Sequence, residues 1–219
     1  MTTTDTPRSV KRLGSPAAAA LADLAALFED LQTVLLCCER LVTELAAPEP
    51  DDVVVEALWT TALLSYTRCF APGGRGMGLV EDDVLATGLK GDVLAWHRMV
   101  RTLKKHYSDP AVNPRESFGV GVAVTDGVPS GVAITSTRQD RVDEQTVRQT
   151  GALAFALSRL VDTKISEHQA TVLKGAAALS AAELATLDEV ELSVPESDSS
   201  DADAGDHDAR DHGGPEDDR

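Results

Sequence analysis

Between residues 15 and 50 the apolar positions fall three and four apart, through Leu21, Leu24, Leu27, Phe28, Leu31, Val34, Leu35, Leu41, Val42 and Leu45. That spacing makes one face of a helix. Ser15-Pro16 supplies an N-cap and a first-turn proline, and Pro48 and Pro50 end the pattern. A second helix is expected from about residue 51 to 70, acidic at its start where the helix dipole favours negative charge. It is almost wholly apolar through Ala62-Leu63-Leu64, which marks it as the central, most buried helix. The glycine-rich run from Pro72 to Gly78 follows a helix end, whereas phosphate-cradling loops lead from a strand into a helix; it is expected to be a C-cap and mobile connector. A short helix over 81–87 precedes a longer one that begins near Asp92.

After Pro114 the period changes from helical to alternating. Phe118–Val124 and Gly131–Thr137 are β-branched runs joined by Thr-Asp-Gly-Val-Pro-Ser, which predicts a β-hairpin at about 117–137. An isolated hairpin is marginal in water, so it must pack on the helices or pair with a second chain. Helical spacing returns from about 143 to 173 through Val147, Leu153, Phe155, Leu157, Leu160, Val161 and Ile165, and Ser180-Ala-Ala-Glu183 is a capping box opening a last short helix. The fold class that follows is mainly α, a helical bundle with an inserted β-hairpin and disordered termini.

Charge sharpens the boundaries. The chain has 219 residues and a net charge of −16. From Glu196 to Arg219 there are ten Asp or Glu and two Arg, half of that net charge, so residues 193–219 are expected to be a disordered acidic tail. Residues 1–14 are polar and Thr-rich and are expected to form a mobile arm, leaving 15–192 as the folded domain. No run reaches the ~18 apolar residues of a membrane helix. Asp23, Glu29 and Asp30 interrupt the stretch that superficially resembles a signal peptide. Cys37, Cys38 and Cys69 lack metal-ligand spacing and sit in apolar surroundings. They are read as small buried residues in a reducing compartment, so the expected location is cytoplasmic, with no metal and no cofactor.

One segment runs against the acidic trend. From Lys90 to Arg115 six Lys or Arg face two Asp. A basic surface of this kind wants an anion. Projected at about 100° per residue, Val93, Trp96, Val100, Leu103 and Tyr107 form a core stripe, and His97, Arg98, Arg101, Lys104 and Lys105 form a stripe free to meet a ligand. His106 lies about 140° around the helix from Arg101, so these two converge only where the helix ends or a second subunit contributes. On single-chain geometry His97 with Arg101 is the better pair. His168 has no partner at metal spacing, and His207 and His212 lie in the tail. Gly-x-Ser-x-Gly, His-Glu-x-x-His, nucleotide-binding and Ca²⁺-loop motifs are absent from the sequence, which removes the usual hydrolase, metalloprotease and kinase readings.

Arg101-x4-His106 near the end of a helix in a small bundle resembles the Arg-x(4–6)-His signature of the HEPN superfamily. The stretch from Trp96 to Glu116, with Asn113-Pro-Arg-Glu116, and Tyr66-Thr-Arg-Cys-Phe70 before it, is similar to abortive-infection and uncharacterised actinobacterial HEPN-like proteins. Aligned without gaps on Asn113-Pro114, the family's second histidine falls on Pro110 and its motif arginine on Lys104. The resemblance implies a homodimeric, metal-independent endoribonuclease of defence or toxin type, in which Arg101 binds phosphate and His106 is the acid/base. His97, Arg98, Lys104 and Lys105 would guide the RNA. Such chemistry needs a base near the 2′-hydroxyl, an acid at the 5′-oxygen and a cation on the phosphorane. The alternative is a non-catalytic dimeric scaffold with a protein partner, its basic face masked by its own acidic tail. A sequence-specific DNA-binding regulator ranks below both, because no helix-turn-helix is evident.

Overall fold

The computed structural model describes residues 9–71, 73 and 75–191. In chain order the elements are β1 (Val10–Lys11), α1 (Pro16–Leu45), α2 (Asp52–Arg68), α3 (Glu81–Ala86), α4 (Val93–Ser108), β2 (Glu116–Thr125), β3 (Val128–Arg138), α5 (Glu144–Ala177), α6 (Ala181–Ala185) and β4 (Glu189–Val190). The protein is mainly α, with a hairpin between α4 and α5. The expected acidic tail and most of the expected arm lie outside the described residues.

Residues 13–187 make one unit and the strands β1 and β4 belong to a second. In that second unit β1 and β4 pair antiparallel, Val10 with Val190 and Lys11 with Glu189, and the Arg12 N–H donates to the Asp188 carbonyl at 2.8 Å. Residues 9–12, expected within a mobile arm, thus hold a short ladder. The signal is two residues long on each side, too short for a periodicity to show.

In the larger unit each long helix starts on a side-chain cap. Ser15 Oγ accepts the Ala18 N–H, Asp51 Oδ1 those of Val53 and Val54, Asp92 Oδ1 that of Ala95, and Asp143 Oδ1 that of Thr146. Each satisfies a donor that the first turn leaves unpaired. The capping box at Ser180 and Glu183 is present as the sequence predicts.

The most extensive packing is between α1 and α5. Leu24, Leu27, Leu31, Val34, Cys38 and Leu41 on one meet a face of Val147, Leu153, Leu157 and Val161 on the other. Where they cross, a Cβ on Gly151 would lie 3.3 Å from Cys38 Cβ, so glycine is what lets the backbones approach. The helix α2 packs on α1 and on α4. The helix expected to be the central, most buried one is nonetheless open on one side: Val53 is 76% and Leu64 44% exposed. An apolar run is buried only where another element is available to cover it, and the third side of α2 has none. Phe155, counted in the α5 stripe from spacing, is likewise exposed, about 200° around the helix from both Leu153 and Leu157.

The connector after α2 is pinned. Asp23 Oδ2 accepts the N–H groups of Gly76 (2.7 Å) and Met77 (3.1 Å), and Arg75 pairs with Asp30 at 2.8 Å. A carboxylate of the chain itself thus occupies the donors that a phosphate would need.

The hairpin turns through Asp126 and Gly127, with φ of 52° and 78°, the two left-handed residues that suit a right-twisted ribbon. Its base is tied to α2 by Arg115–Glu56 (2.6 Å) and by Arg138 and Arg141 to Asp52 (3.2 and 3.1 Å). Beyond that base no helix among the described residues covers either face, and every residue from 117 to 138 is exposed.

Candidate functional site

The core side of α4 agrees with the sequence projection. Val100 is fully buried, and Val93, Trp96, Leu103 and Tyr107 are packed against the core. The ligand side does not agree throughout. His97, expected on the open stripe, has no exposed surface.

Two facts explain the burial of His97. It lies only about 60° from Val100 around the helix, at the margin of the core arc. Because α4 packs on both α2 and α3, that arc is wide enough to take the margin in. A polar ring can be buried there because Tyr66 Oη is hydrogen-bonded to His97 Nδ1 at 2.8 Å, and the Phe70 ring packs at 4.4 Å between centroids. Burial first, and the nearby Arg101 charge second, hold the His97 pKa below its ordinary value. Burial also pushes the Tyr66 phenol up. The pair is therefore neutral at pH 7, and His97 Nε2 has no partner among the described residues. His97 with Arg101 is not a surface acid/base pair.

Arg98 is engaged as well. Its Nε and Nη2 donate to the two Glu81 carboxylate oxygens at 3.1 and 2.7 Å. This fork holds the Glu81 carboxyl below its usual range and raises the Arg98 guanidinium further. Arg115 makes the same kind of fork with Glu56. For Arg101, Lys104, Lys105 and His106 there is no ion pair or side-chain hydrogen bond among the described residues; all are exposed but Lys104, which is half-buried.

Arg101 and His106 are not brought together in one chain. The helix runs unbroken through Ser108, and the Asp109 N–H still donates to the Lys105 carbonyl at 2.9 Å. Five residues of continuous helix leave the two side chains about 140° apart and displaced by about 7.5 Å along the axis. The turn that follows is structural. Asn113 Oδ1 accepts the N–H groups of Arg115 (2.9 Å) and Glu116 (3.2 Å) and so opens β2.

The Tyr66–His97–Phe70 cluster was missed by projection, although Tyr66 stood in the helix expected to be most buried, where a phenol requires a partner. His168 Nδ1 bonds the Lys164 backbone carbonyl at 2.9 Å, and His207 and His212 lie outside the described residues. Cys37, Cys38 and Cys69 are free and buried, and burial pushes the thiols of Cys38 and Cys69 up to about 12. Among the described residues no cluster of three His, Cys, Asp or Glu side chains is arranged to hold a metal ion, and no helix is long and apolar enough to cross a membrane. A cleft of about 230 Å³ between the start of α4 and α5, lined by Leu89, Trp96, Gln149 and Leu153, is smaller than ordinary small-molecule sites.

What fold and site define is a small helical protein with a cationic helix face on which, among the described residues, Arg101 has no exposed histidine on its own side. Comparison with known proteins returns no matching family model, no curated relative and no solved structure.

Proposed function

We propose that the chain is an HEPN-like, RNA-directed binding protein that engages RNA phosphates through Arg101, Lys104 and Lys105 and has, among the described residues, no proton-transfer pair within a single chain. The observation that carries this reading is the burial of His97, which leaves cations on the α4 face and removes from solvent the histidine one turn before Arg101. Binding a phosphate needs only those cations. Cleaving beside it needs an acid/base within hydrogen-bond reach as well.

The test is single-stranded RNA binding by the full chain across a salt series, compared with a Lys104→Ala/Lys105→Ala variant. The expected result is affinity that falls with salt, with a slope shallower by about 1.4 in the variant, as loss of two phosphate contacts requires. Salt-insensitive binding, or identical slopes, would remove the α4 face from the reading.

A second reading is favoured by one observation: Arg101 and His106 are both exposed and their side chains have no partner among the described residues. A twofold dimer could bring Arg101 of one chain to His106 of another and form a metal-independent endoribonuclease. RNA cleavage without divalent metal, abolished by His106→Ala, would establish it over the binding role.

A further inference from the structure

The register of β2 and β3 pairs Val120 with Ile134, Val122 with Val132 and Phe118 with Ser136. Directly paired residues, and those two apart, point to the same side of a sheet. Phe118, Val120, Val122, Val132 and Ile134 therefore stand together on one face, and Gly119, Gly121 and Ala133 lie on the other. The ribbon has a bulky side and a small side.

All five bulky residues are between 60% and 76% exposed. Singly exposed apolar residues are ordinary, but a contiguous sheet face is not. Of the two resolutions open to a marginal hairpin, packing on its own helices is absent among the described residues. The forks and ion pairs at the hairpin base hold its direction and leave the face clear.

We propose that this face is where a second copy of the chain packs, hairpin on hairpin, through Phe118, Val120, Val122, Val132 and Ile134. Charge selects the partner. From Ser117 to Thr137 the single charged residue is Asp126, at the turn, in a chain with 36 acidic and 20 basic residues. The face offers nothing to a charged partner, and a chain of net −16 is repelled by anionic lipid. An identical hairpin presents an equally uncharged surface of the same length. A twofold axis lays the two ribbons about 10 Å apart as the layers of a small sandwich. The area agrees: the exposed bulky side chains offer about 600 Å² per chain, hence about 1,200 Å² for a pair, the lower range of specific interfaces.

This inference stands on the hairpin alone and uses none of the α4 cations, so RNA binding can fail while it holds. The experiment is sedimentation velocity of the full chain over about 1 to 100 µM. It compares wild type with Val120→Lys/Ile134→Lys on the bulky face and Thr137→Lys on the small face. Wild type and Thr137→Lys are expected at twice the chain mass, and the double variant at the chain mass with unchanged helical circular dichroism. If the lysine variant fails to fold, Val120→Thr/Ile134→Thr keeps the β-branched shape and should raise the dimer dissociation constant about ten-fold or more. A wild-type monomer throughout that range, or a double variant that stays dimeric, overturns the proposal. So does a wild-type monomer that instead floats with phosphatidylcholine vesicles, which would assign the face to lipid.

Discussion

The core between α1, α2 and α5 and the face of the β2–β3 hairpin are built from the same kinds of side chain and meet opposite fates. Leu31, Leu63 and Leu157 are fully buried, whereas Val120, Val132 and Ile134 are about three-quarters exposed. Hydrophobicity is not what separates them. The helices α2 and α5 each pack on α1 and exclude water there, but a two-stranded ribbon tied at its base has one layer and no cover within the described chain. Among the described residues the hairpin is therefore a single uncovered layer, and the bundle is a closed core.

The sharpest way to break this comparison is to truncate a side chain on each side of it. Leu63→Ala should cost about 2–5 kcal/mol in chemical denaturation, through lost transfer energy and the cavity left behind. Val122→Ala, measured in the monomeric Val120→Lys/Ile134→Lys background, should move the unfolding of the helices by no more than about 0.5 kcal/mol. A comparable loss at both positions would mean that the hairpin belongs to the same cooperative core.

A smaller effect is expected where the bundle has taken in a polar group. Tyr66→Phe leaves both His97 nitrogens without a partner and should destabilise by about 1–3 kcal/mol, read from the same denaturation curves. The pH dependence follows from the direction of the His97 shift. Its folded pKa lies below the ordinary 6.5, so the unfolded chain takes up the proton first as pH falls. Its stabilising contribution is full above 6.5 and is lost as pH drops through the lower folded value. Wild type should lose stability across that window, and a non-titrating His97→Gln variant should show a flatter profile. A wild-type profile no steeper than that of His97→Gln would mean that His97 is protonated as readily inside the protein as outside it.

The helices were legible because each carries its own start signal and a face repeated over several turns. Ser15 and Ser180 cap as the sequence predicts, and Asp51, Asp92 and Asp143, near which the other helices were expected to begin, are their caps. The hairpin was legible from its alternation and its Asp-Gly turn. At the candidate site the reading separates residue by residue. The core stripe from Val93 to Tyr107 is as projected, and Arg101 and Lys105 are exposed as expected. His97 was misplaced because an angular projection gives a residue's direction but not the width of the arc that neighbouring helices cover. Arg98 was counted as available because its fork partner, Glu81, lies 17 residues away on another helix.

The sequence by itself determined the long helices and the hairpin, since caps, turn residues and hydrophobic period act over a few residues, whereas the two-residue β1–β4 ladder joins segments far apart in the chain. It also determined the islands of charge: the basic segment from Lys90 to Arg115 and the nearly uncharged hairpin. Only the tertiary structure decided which cations remain available, which histidine is sealed against Tyr66, and which apolar face is left uncovered. Those outcomes depend on what distant elements bring to the same place: Glu81 to Arg98, Phe70 to His97, and, among the described residues, no helix to Val120 and Ile134.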